Sequence, residues 1–209
     1  MLRKWQSYKL FLAGLILIFA VAYLLPGYLL PTDVLHNLPG FSQKSWEKPQ
    51  NSLLADPVFQ FEPWRHFAKE QFLRGQFPLI NNQNGNGVPF FANPQTAVLY
   101  PLNFFYYLLP DKLAINVIPL LKLYLFGVFS FLYLRAIKCS RTISLIGSLL
   151  TGFSGFFVVW LLWPHTNVFL FFPLLLFATE KLRTSALKYR WYGVISLSYF
   201  FAILGGHPE

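Results

Sequence analysis

Long apolar stretches alternate with short polar ones along most of the chain. Five apolar runs, at about residues 10–30, 113–134, 142–163, 166–180 and 191–206, approach the roughly 20 residues that a helix needs to cross a bilayer. Because a segment in lipid must satisfy its own backbone hydrogen bonds, these runs are predicted to be helices. The pattern predicts an all-α, polytopic transmembrane protein, with a first transmembrane helix in residues 1–31 and helices two to five in residues 113–209.

The segment 32–112, between the first and second runs, has a different pattern. Asp56-Pro57 predicts a helix start, since Asp suits the N-cap and Pro the first helical position. Apolar residues then recur at three- and four-residue spacing: Phe61, Trp64, Phe67, Ala68 and Phe72. This stripe predicts an amphipathic helix that ends near Arg74-Gly75 and lies along the outer membrane interface. The run 98–109 is too short to span and is predicted to be re-entrant or interfacial.

Residues 77–103 form a loop that is rich in Pro, Gly and Asn. Pro and Gly fix turns, so we expect a defined backbone path packed on the preceding helix. The loop interleaves Phe and Tyr with carboxamides: Asn81, Asn82, Asn84, Asn86, Asn93, Gln95 and Asn103. Carboxamides beside aromatic rings suit a polar, ring-shaped ligand such as a sugar. A structured plug on the membrane surface explains the same residues equally well.

Charge indicates orientation. The chain carries a net charge of +9, with 55% apolar and 12% charged residues. Its basic clusters precede the first run and separate the second from the third and the fourth from the fifth, which places the N-terminus in the cytoplasm and residues 31–112 outside. Basic residues split among membrane flanks disfavour nucleic acid as a partner.

A cleaved signal peptide in residues 1–25 is the alternative to an uncleaved first helix. The single Cys139 excludes a disulfide framework.

Two blocks carry a family resemblance. ADPVFQFEPWRHF, from Ala55 to Phe67, is followed by RGQFPLINNQNGNGVPFFANPQTAVLYPLN, from Arg74 to Asn103, and the run from Gly152 to Leu182 continues the pattern. Together they resemble the bacterial YfhO-like membrane protein family. That family resembles glycosyltransferases of the GT-C fold, which implies a multi-pass enzyme of the bacterial plasma membrane that uses lipid-linked sugars. Since members of the family have more spans, we expect this chain to be an N-terminal part.

The resemblance makes Asp56 the first catalytic candidate. GT-C-like enzymes use an acidic residue of the first extracytoplasmic loop as general base or metal ligand, and a carboxylate can accept a proton or hold a divalent cation such as Mg²⁺ or Mn²⁺. Ordinary helix capping by Asp56 is the alternative. Asp33, just after the first run, is the reserve catalytic candidate.

A second group of residues is expected to bind substrate. Lys122 lies inside the second run, where a charge is costly, and is expected to contact a lipid-carrier phosphate; snorkelling past a helix break at Pro119 is the alternative. The remaining candidates come from the loop and the outer turns: Arg65, Asn93, Gln95, Asn103, His165 and His207. Each histidine is also explained as an ordinary turn residue.

Two classes of function remain open. The first is a membrane glycosyltransferase that moves a sugar from a polyprenyl-phosphate donor to an extracytoplasmic envelope acceptor. The second is a non-catalytic membrane protein, a transporter or an assembly factor for envelope polymers. A transporter is expected to place polar groups near the middle of the bilayer and to show repeats, and the polar residues here concentrate outside.

The predicted topology is testable by cysteine labelling in a background that lacks Cys139. A cysteine at Ser42 should react with a membrane-impermeant maleimide added to intact cells, whereas a cysteine at Ser185 should react only after lysis. External labelling at position 185 combined with protection at position 42 would reverse the orientation.

Overall fold

The computed structural model describes residues 2–37 and 54–207. Its helices are α1 (Leu2–Leu24), α2 (Glu62–Leu73), α3 (Phe104–Leu108), α4 (Asp111–Ala136), α5 (Arg141–Gly152), α6 (Gly155–Val159), α7 (Pro164–Phe169), α8 (Phe172–Thr184) and α9 (Lys188–Leu204). Short 3-10 turns lie at Thr32–Asn37, Pro94–Thr96 and Pro101–Asn103, and a π-helical turn, Pro57–Phe61, leads into α2. Most of the polar stretch 32–55, with the labelling position Ser42, lies outside the described residues.

The described chain is mostly helical, as predicted, with one small exception. Strands β1 (Ile80–Asn81) and β2 (Val88–Pro89) form an antiparallel hairpin in which Ile80 lies opposite Pro89. This hairpin belongs to the loop 77–103, whose Gly and Pro residues set its turns.

Helix α4 is the centre of the bundle. It packs against α1, α5 and α8, and within residues 2–37 and 54–207 it is the one helix that is both long and apolar enough to cross a membrane. At 1.5 Å per residue its length is about 39 Å, more than the hydrocarbon thickness of a bilayer. The apolar part of α1, Lys9–Leu24, is shorter.

The runs predicted as the third and fourth spans are broken into shorter helices. The α5 helix ends at Gly152, and the Ser154 side chain accepts a hydrogen bond from the backbone N–H of Phe157 to start α6. Pro164 starts α7, and Pro173 lies in the first turn of α8. The prediction of continuous helices over 142–163 and 166–180 is therefore wrong, whereas the number of membrane crossings stays a prediction.

The surface of the bundle is apolar on α5, which packs on α4, and on α9, which packs on α8. Exposed side chains on these two helices include Ile143, Ile146, Leu150, Leu197, Phe200 and Ile203. Soluble proteins rarely expose apolar patches of this kind, so the surface fits a bilayer.

The apolar stripe of α2 packs on protein instead of lipid. Phe67 and Ala68 are buried with Phe90 of the loop and with Tyr106 and Ile118 of α3 and α4. Phe67 and Phe90 stack edge to face, with 4.8 Å between ring centroids. The structure thus confirms that the loop packs on α2, and it corrects the expectation that the stripe itself faces the membrane.

Asn116 of α4 joins the end of α1 to the bundle. Its side-chain amide donates to the carbonyl of Gly27 at 3.0 Å and to that of Ala22 at 3.3 Å, and its Oδ1 accepts from the N–H of Leu29 at 2.8 Å. Asn116 is completely buried, so one side chain satisfies three backbone groups where α1 ends and the chain turns.

Candidate functional site

Arg65 reaches from α2 into the bundle. Its Nη1 donates to Glu62 Oε2 at 3.3 Å and to the Tyr106 hydroxyl at 3.2 Å, and its Nη2 donates to the carbonyl of Leu162 at 3.4 Å. The guanidinium carbon also lies 4.7 Å from the centre of the Tyr106 ring. The structure buries this candidate substrate-binding residue, and its charge is paired inside the protein with Glu62 and the Tyr106 ring. Substrate binding by Arg65 stays a prediction.

Burial and the neighbouring charges shift the pKa values of Glu62, Arg65 and Tyr106. Burial raises the pKa of Glu62, and the neighbouring Arg65 opposes that shift. Burial alone would lower the pKa of Arg65, but Tyr106 and Glu62 beside it raise the pKa above its usual value. Burial also raises the pKa of Tyr106. The guanidinium stays protonated, and the Tyr106 hydroxyl stays neutral, over the physiological range.

Lys122 of α4 binds the chain next to Leu162, the residue whose carbonyl Arg65 binds. Its Nζ donates to the carbonyl of Leu161 at 3.1 Å and to the Thr166 hydroxyl at 3.2 Å, and the side chain is almost completely buried. Pro119 lies inside α4, which continues past it to Ala136, so the snorkelling interpretation of Lys122 is wrong. In the structure the Lys122 side chain binds Leu161 and Thr166. Its contact with a lipid-carrier phosphate stays a prediction.

The two cations hold the connection between α6 and α7. Arg65 and Lys122 donate to the consecutive carbonyls of Leu162 and Leu161, and the Thr166 hydroxyl lies 3.0 to 3.1 Å from the carbonyls of Trp160, Leu161 and Trp163. The Trp160 carbonyl also accepts from the N–H of Trp163, at 3.0 Å. The carbonyls of Leu161 and Leu162 lie between α6 and α7, and there the donors are side chains. We call residues 160–163 the cation-bound turn.

The loop block Asn93–Asn103 uses two of its predicted binding residues for its own fold. The Asn93 side chain accepts from the N–H of Gln95 at 3.1 Å, and the Asn103 side chain donates to the carbonyl of Ala97 at 2.9 Å. Ala97 has a φ of 47°, so this carbonyl belongs to a left-handed turn that Asn103 stabilises. Substrate binding by these two carboxamides stays a prediction, and their hydrogen bonds here are structural.

Asp56 and Gln95 remain at the surface of this block. Asp56 is exposed at the start of the π-helical turn, and it makes no capping hydrogen bond and no ion pair within the described residues. One turn later Gln60 donates to the Gln95 side chain at 3.3 Å. Ala55 and Asp56 are already helical and Asp56 has helical backbone angles, so the prediction that Asp56 caps a helix start is wrong. The helical turn brings Asp56 and Gln60 to the loop that contains Gln95.

The residues described do not assemble a metal site around Asp56. Within 2–37 and 54–207, no three His, Cys, Asp or Glu side chains cluster as ligands for one ion. The reserve acid Asp33 is half-buried in the first turn of Thr32–Asn37. A single carboxylate is a poor site for Mg²⁺ or Mn²⁺, which need several oxygen ligands, so no step is assigned to a metal here.

The structure brings the two predicted histidines together. The ring centroids of His165 and His207 lie 3.9 Å apart, and Trp160 lies against the His165 ring at 4.6 Å. The turn at Gly206 makes this possible. Gly206 has a φ of 96°, and a Cβ there would lie 2.8 Å from the carbonyl oxygen of Pro94. The glycine thus packs the His207 segment directly on the loop block.

Asn167 ties the same region together and was not expected from the sequence. Its side-chain Nδ2 donates to the carbonyl of Gly205 at 2.9 Å, and its backbone carbonyl accepts from the Tyr100 hydroxyl at 3.3 Å. In the described part of the chain, Asn167 Oδ1 and Trp163 Nε1 are buried without a hydrogen-bond partner. Pro164 marks a helix start in the sequence, and this indicates that the polar residues after it, Thr166 and Asn167, are ordered. No local pattern identifies their partners, which are distant in sequence.

The grooves between helices are apolar and lie away from Asp56. A cavity of about 380 Å³ between α4 and α5 is lined by residues such as Leu123, Gly127, Phe131, Leu145 and Phe153. A second, of about 320 Å³, lies between α4, α7 and α8 beside Ser130 and Phe172. Neither contains an acid or a base, so the candidate chemistry belongs to the outer unit formed by α2 and the loop.

Comparison with known proteins gives one match. The sequence model of one family, described as bacterial membrane protein YfhO, matches residues 32–202. That range includes α2, the loop block, the cation-bound turn and most of α9. No curated protein and no solved structure matches the chain.

The role of Lys122 is testable by hydrogen exchange. Lys122→Met keeps the length of the side chain but removes the donor, so the carbonyl of Leu161 loses a hydrogen bond, a change of about 1–3 kcal/mol for a buried group. We expect faster amide exchange in residues 160–170, measured by mass spectrometry on the protein in micelles.

Lys112→Met is the matched control, since Lys112 is exposed on the same helix. It should leave exchange in residues 160–170 unchanged. Equal protection in both variants would show that Lys122 does not hold the turn.

Proposed function

The chain belongs to the YfhO family of bacterial membrane proteins, and on that premise we propose that it is a GT-C-type glycosyltransferase of the bacterial plasma membrane. The donor is a polyprenyl-phosphate sugar, and the acceptor is an extracytoplasmic envelope polymer. The membrane association rests on the family match. The proposed transfer reaction is supported by the exposed carboxylate of Asp56 and by the carboxamides near it.

One observation supports the proposal most strongly: the exposed, unengaged carboxylate of Asp56. The other acidic residues of α2 and of the start of α4 are occupied. Glu62 binds Arg65, Glu70 binds His66 and Arg74, and Asp111 binds Lys69 at 2.5 Å. Among these acids, Asp56 alone forms no ion pair and no capping hydrogen bond with the described residues, so its exposed carboxylate is available to a ligand.

The surroundings of Asp56 suit an acceptor with hydroxyl groups. Gln60 and Gln95 form a carboxamide pair one turn away, and each amide both donates and accepts hydrogen bonds. A carboxylate beside such a pair can orient a sugar hydroxyl and accept its proton. The rigid α2 helix, fastened by Arg65, holds that carboxylate in place.

The proposed step is a displacement at the anomeric carbon of the donor. The acceptor hydroxyl oxygen forms the new bond to that carbon, its proton passes to Asp56, and the bond to the polyprenyl phosphate breaks with both electrons leaving on the phosphate. Arg65 and Lys122 are engaged with the cation-bound turn. Their contribution is to position the outer unit over the bundle.

Replacement of Asp56 by Asn tests this role. Asn has nearly the same size and shape as Asp but cannot accept the proton. We expect normal insertion into the membrane and a loss of sugar transfer on the order of 10²–10⁴-fold, typical for removal of a general base. The measurement is the sugar content of the envelope polymer, by mass spectrometry, in bacteria whose only copy of the gene carries the change.

Asp111→Asn is the control, because it removes a carboxylate from the same side of the protein that is already paired with Lys69. Sugar transfer per inserted protein should stay within a few-fold of the unchanged chain. Full transfer in Asp56→Asn would end the assignment of Asp56. The non-catalytic alternative predicts that result.

A further inference from the structure

A row of aromatic rings runs from the outer end of the bundle into the loop. Phe104 contacts Tyr107 at 5.7 Å, Tyr107 contacts Phe72 at 4.9 Å, Phe72 contacts Phe77 at 5.9 Å, and Phe77 contacts Phe91 at 4.9 Å, all between ring centroids. We call these five residues the aromatic row. They come from α3, α2 and both sides of the hairpin, so the row crosses three parts of the outer unit.

One edge of the aromatic row is exposed. Phe104, Phe77 and Phe91 keep 44%, 43% and 42% of their surface, and the neighbouring Leu108 keeps 79%. Tyr107 and Phe72 between them are buried and half-buried, so the exposed rings lie at the two ends of the row. Several large apolar side chains exposed on one small unit are unusual on a surface that faces only water. This edge therefore needs a partner.

The start of α4 gives the level of the row relative to the membrane. A helix of about 39 Å exceeds a hydrocarbon core of about 30 Å, so its ends extend into the headgroup regions. Asp111 is the first residue of α4, and Leu108 lies three residues before it. Lys69 of α2 binds both Asp111 and the carbonyl of Leu109, at 2.5 and 2.7 Å. α2 is thereby held at the headgroup level.

A second contact holds the same part of α2. One turn before Lys69, Arg65 binds the carbonyl of Leu162, so this turn of α2 lies against the end of the bundle. Phe72 follows Lys69 by three residues, and its ring contacts Phe77 and Tyr107 of the row beside this turn. On the bundle side, Phe105 contacts Phe19 of α1 at 6.1 Å, so α3, which also carries Phe104 and Tyr107 of the row, packs on the apolar helices.

We infer that the exposed edge of the aromatic row, with Leu108, is an anchor immersed in the interfacial region of the bilayer, in the outer leaflet under the predicted topology. The partner is the lipid surface itself, where aromatic side chains are enriched. The loop 77–103 therefore rests in the headgroup layer instead of projecting into water. The inference does not depend on the proposed transfer reaction.

Site-directed spin labelling tests the depth of the row. The full chain, with Cys139 replaced by Ser, carries a nitroxide at Phe91→Cys or at Leu108→Cys and is reconstituted in vesicles of phosphatidylcholine and phosphatidylglycerol. Leu108 is a second site because its mostly free side chain can be replaced without disturbing the packing. We expect both labels to collide several-fold more with oxygen, which partitions into lipid, than with a water-soluble nickel chelate.

Gln83→Cys, at the exposed tip of the hairpin, is the matched control and should show the opposite preference. Nickel accessibility at positions 91 and 108 equal to that at position 83 would place the row in water and overturn the inference. Labels at 91 and 108 that are shielded from both reagents would also overturn it, since a protein surface would then cover the row.

Discussion

The structure depends on one constraint: backbone groups at helix breaks inside an apolar bundle have to be paired by the protein. α4 supplies the side chains for two such breaks. Asn116 satisfies three backbone groups at the end of α1, and Lys122 binds the carbonyl of Leu161 where α6 ends. A long, uninterrupted helix that carries two buried polar side chains can therefore hold interrupted helices on both sides.

The same constraint explains how the outer unit is attached. Arg65 binds the carbonyl next to the one that Lys122 binds, so a cation from the outer unit and one from the bundle meet at the cation-bound turn. The loop then packs on α2 through Phe90, and Gly206 brings the C-terminal turn against the loop. The acidic residues of α2 and of the start of α4 are engaged in ion pairs, which is why the unengaged Asp56 stands out.

The sequence predicted what local patterns control. The apolar stripe predicted α2 and its end near Arg74, and the density of Pro and Gly predicted an ordered loop. The start at Asp56-Pro57 was wrong, because the chain is already helical at Ala55. The burial of Arg65 was not predictable, because Glu62 three residues earlier suggests a solvated pair, while the decisive partners, Tyr106 and Leu162, are distant in sequence. Lys122 and Thr166 are likewise 44 residues apart. The breaks in the third and fourth runs did carry local signals, Ser154 and Pro173, which the overall hydropathy concealed.

The most direct measurement of the central claim is the stability of Asn116→Leu. Leu has the same branched shape as Asn, with methyl groups in place of the amide oxygen and nitrogen, so it leaves the N–H of Leu29 and the carbonyls of Ala22 and Gly27 without a partner. The free energy of unfolding in micelles should fall by about 2–4 kcal/mol, and the amide of Leu29 should exchange faster. Asn84→Leu, at an exposed position of the hairpin, should change stability little. Unchanged stability and exchange in Asn116→Leu would contradict the account, because the end of α1 would then be held without α4.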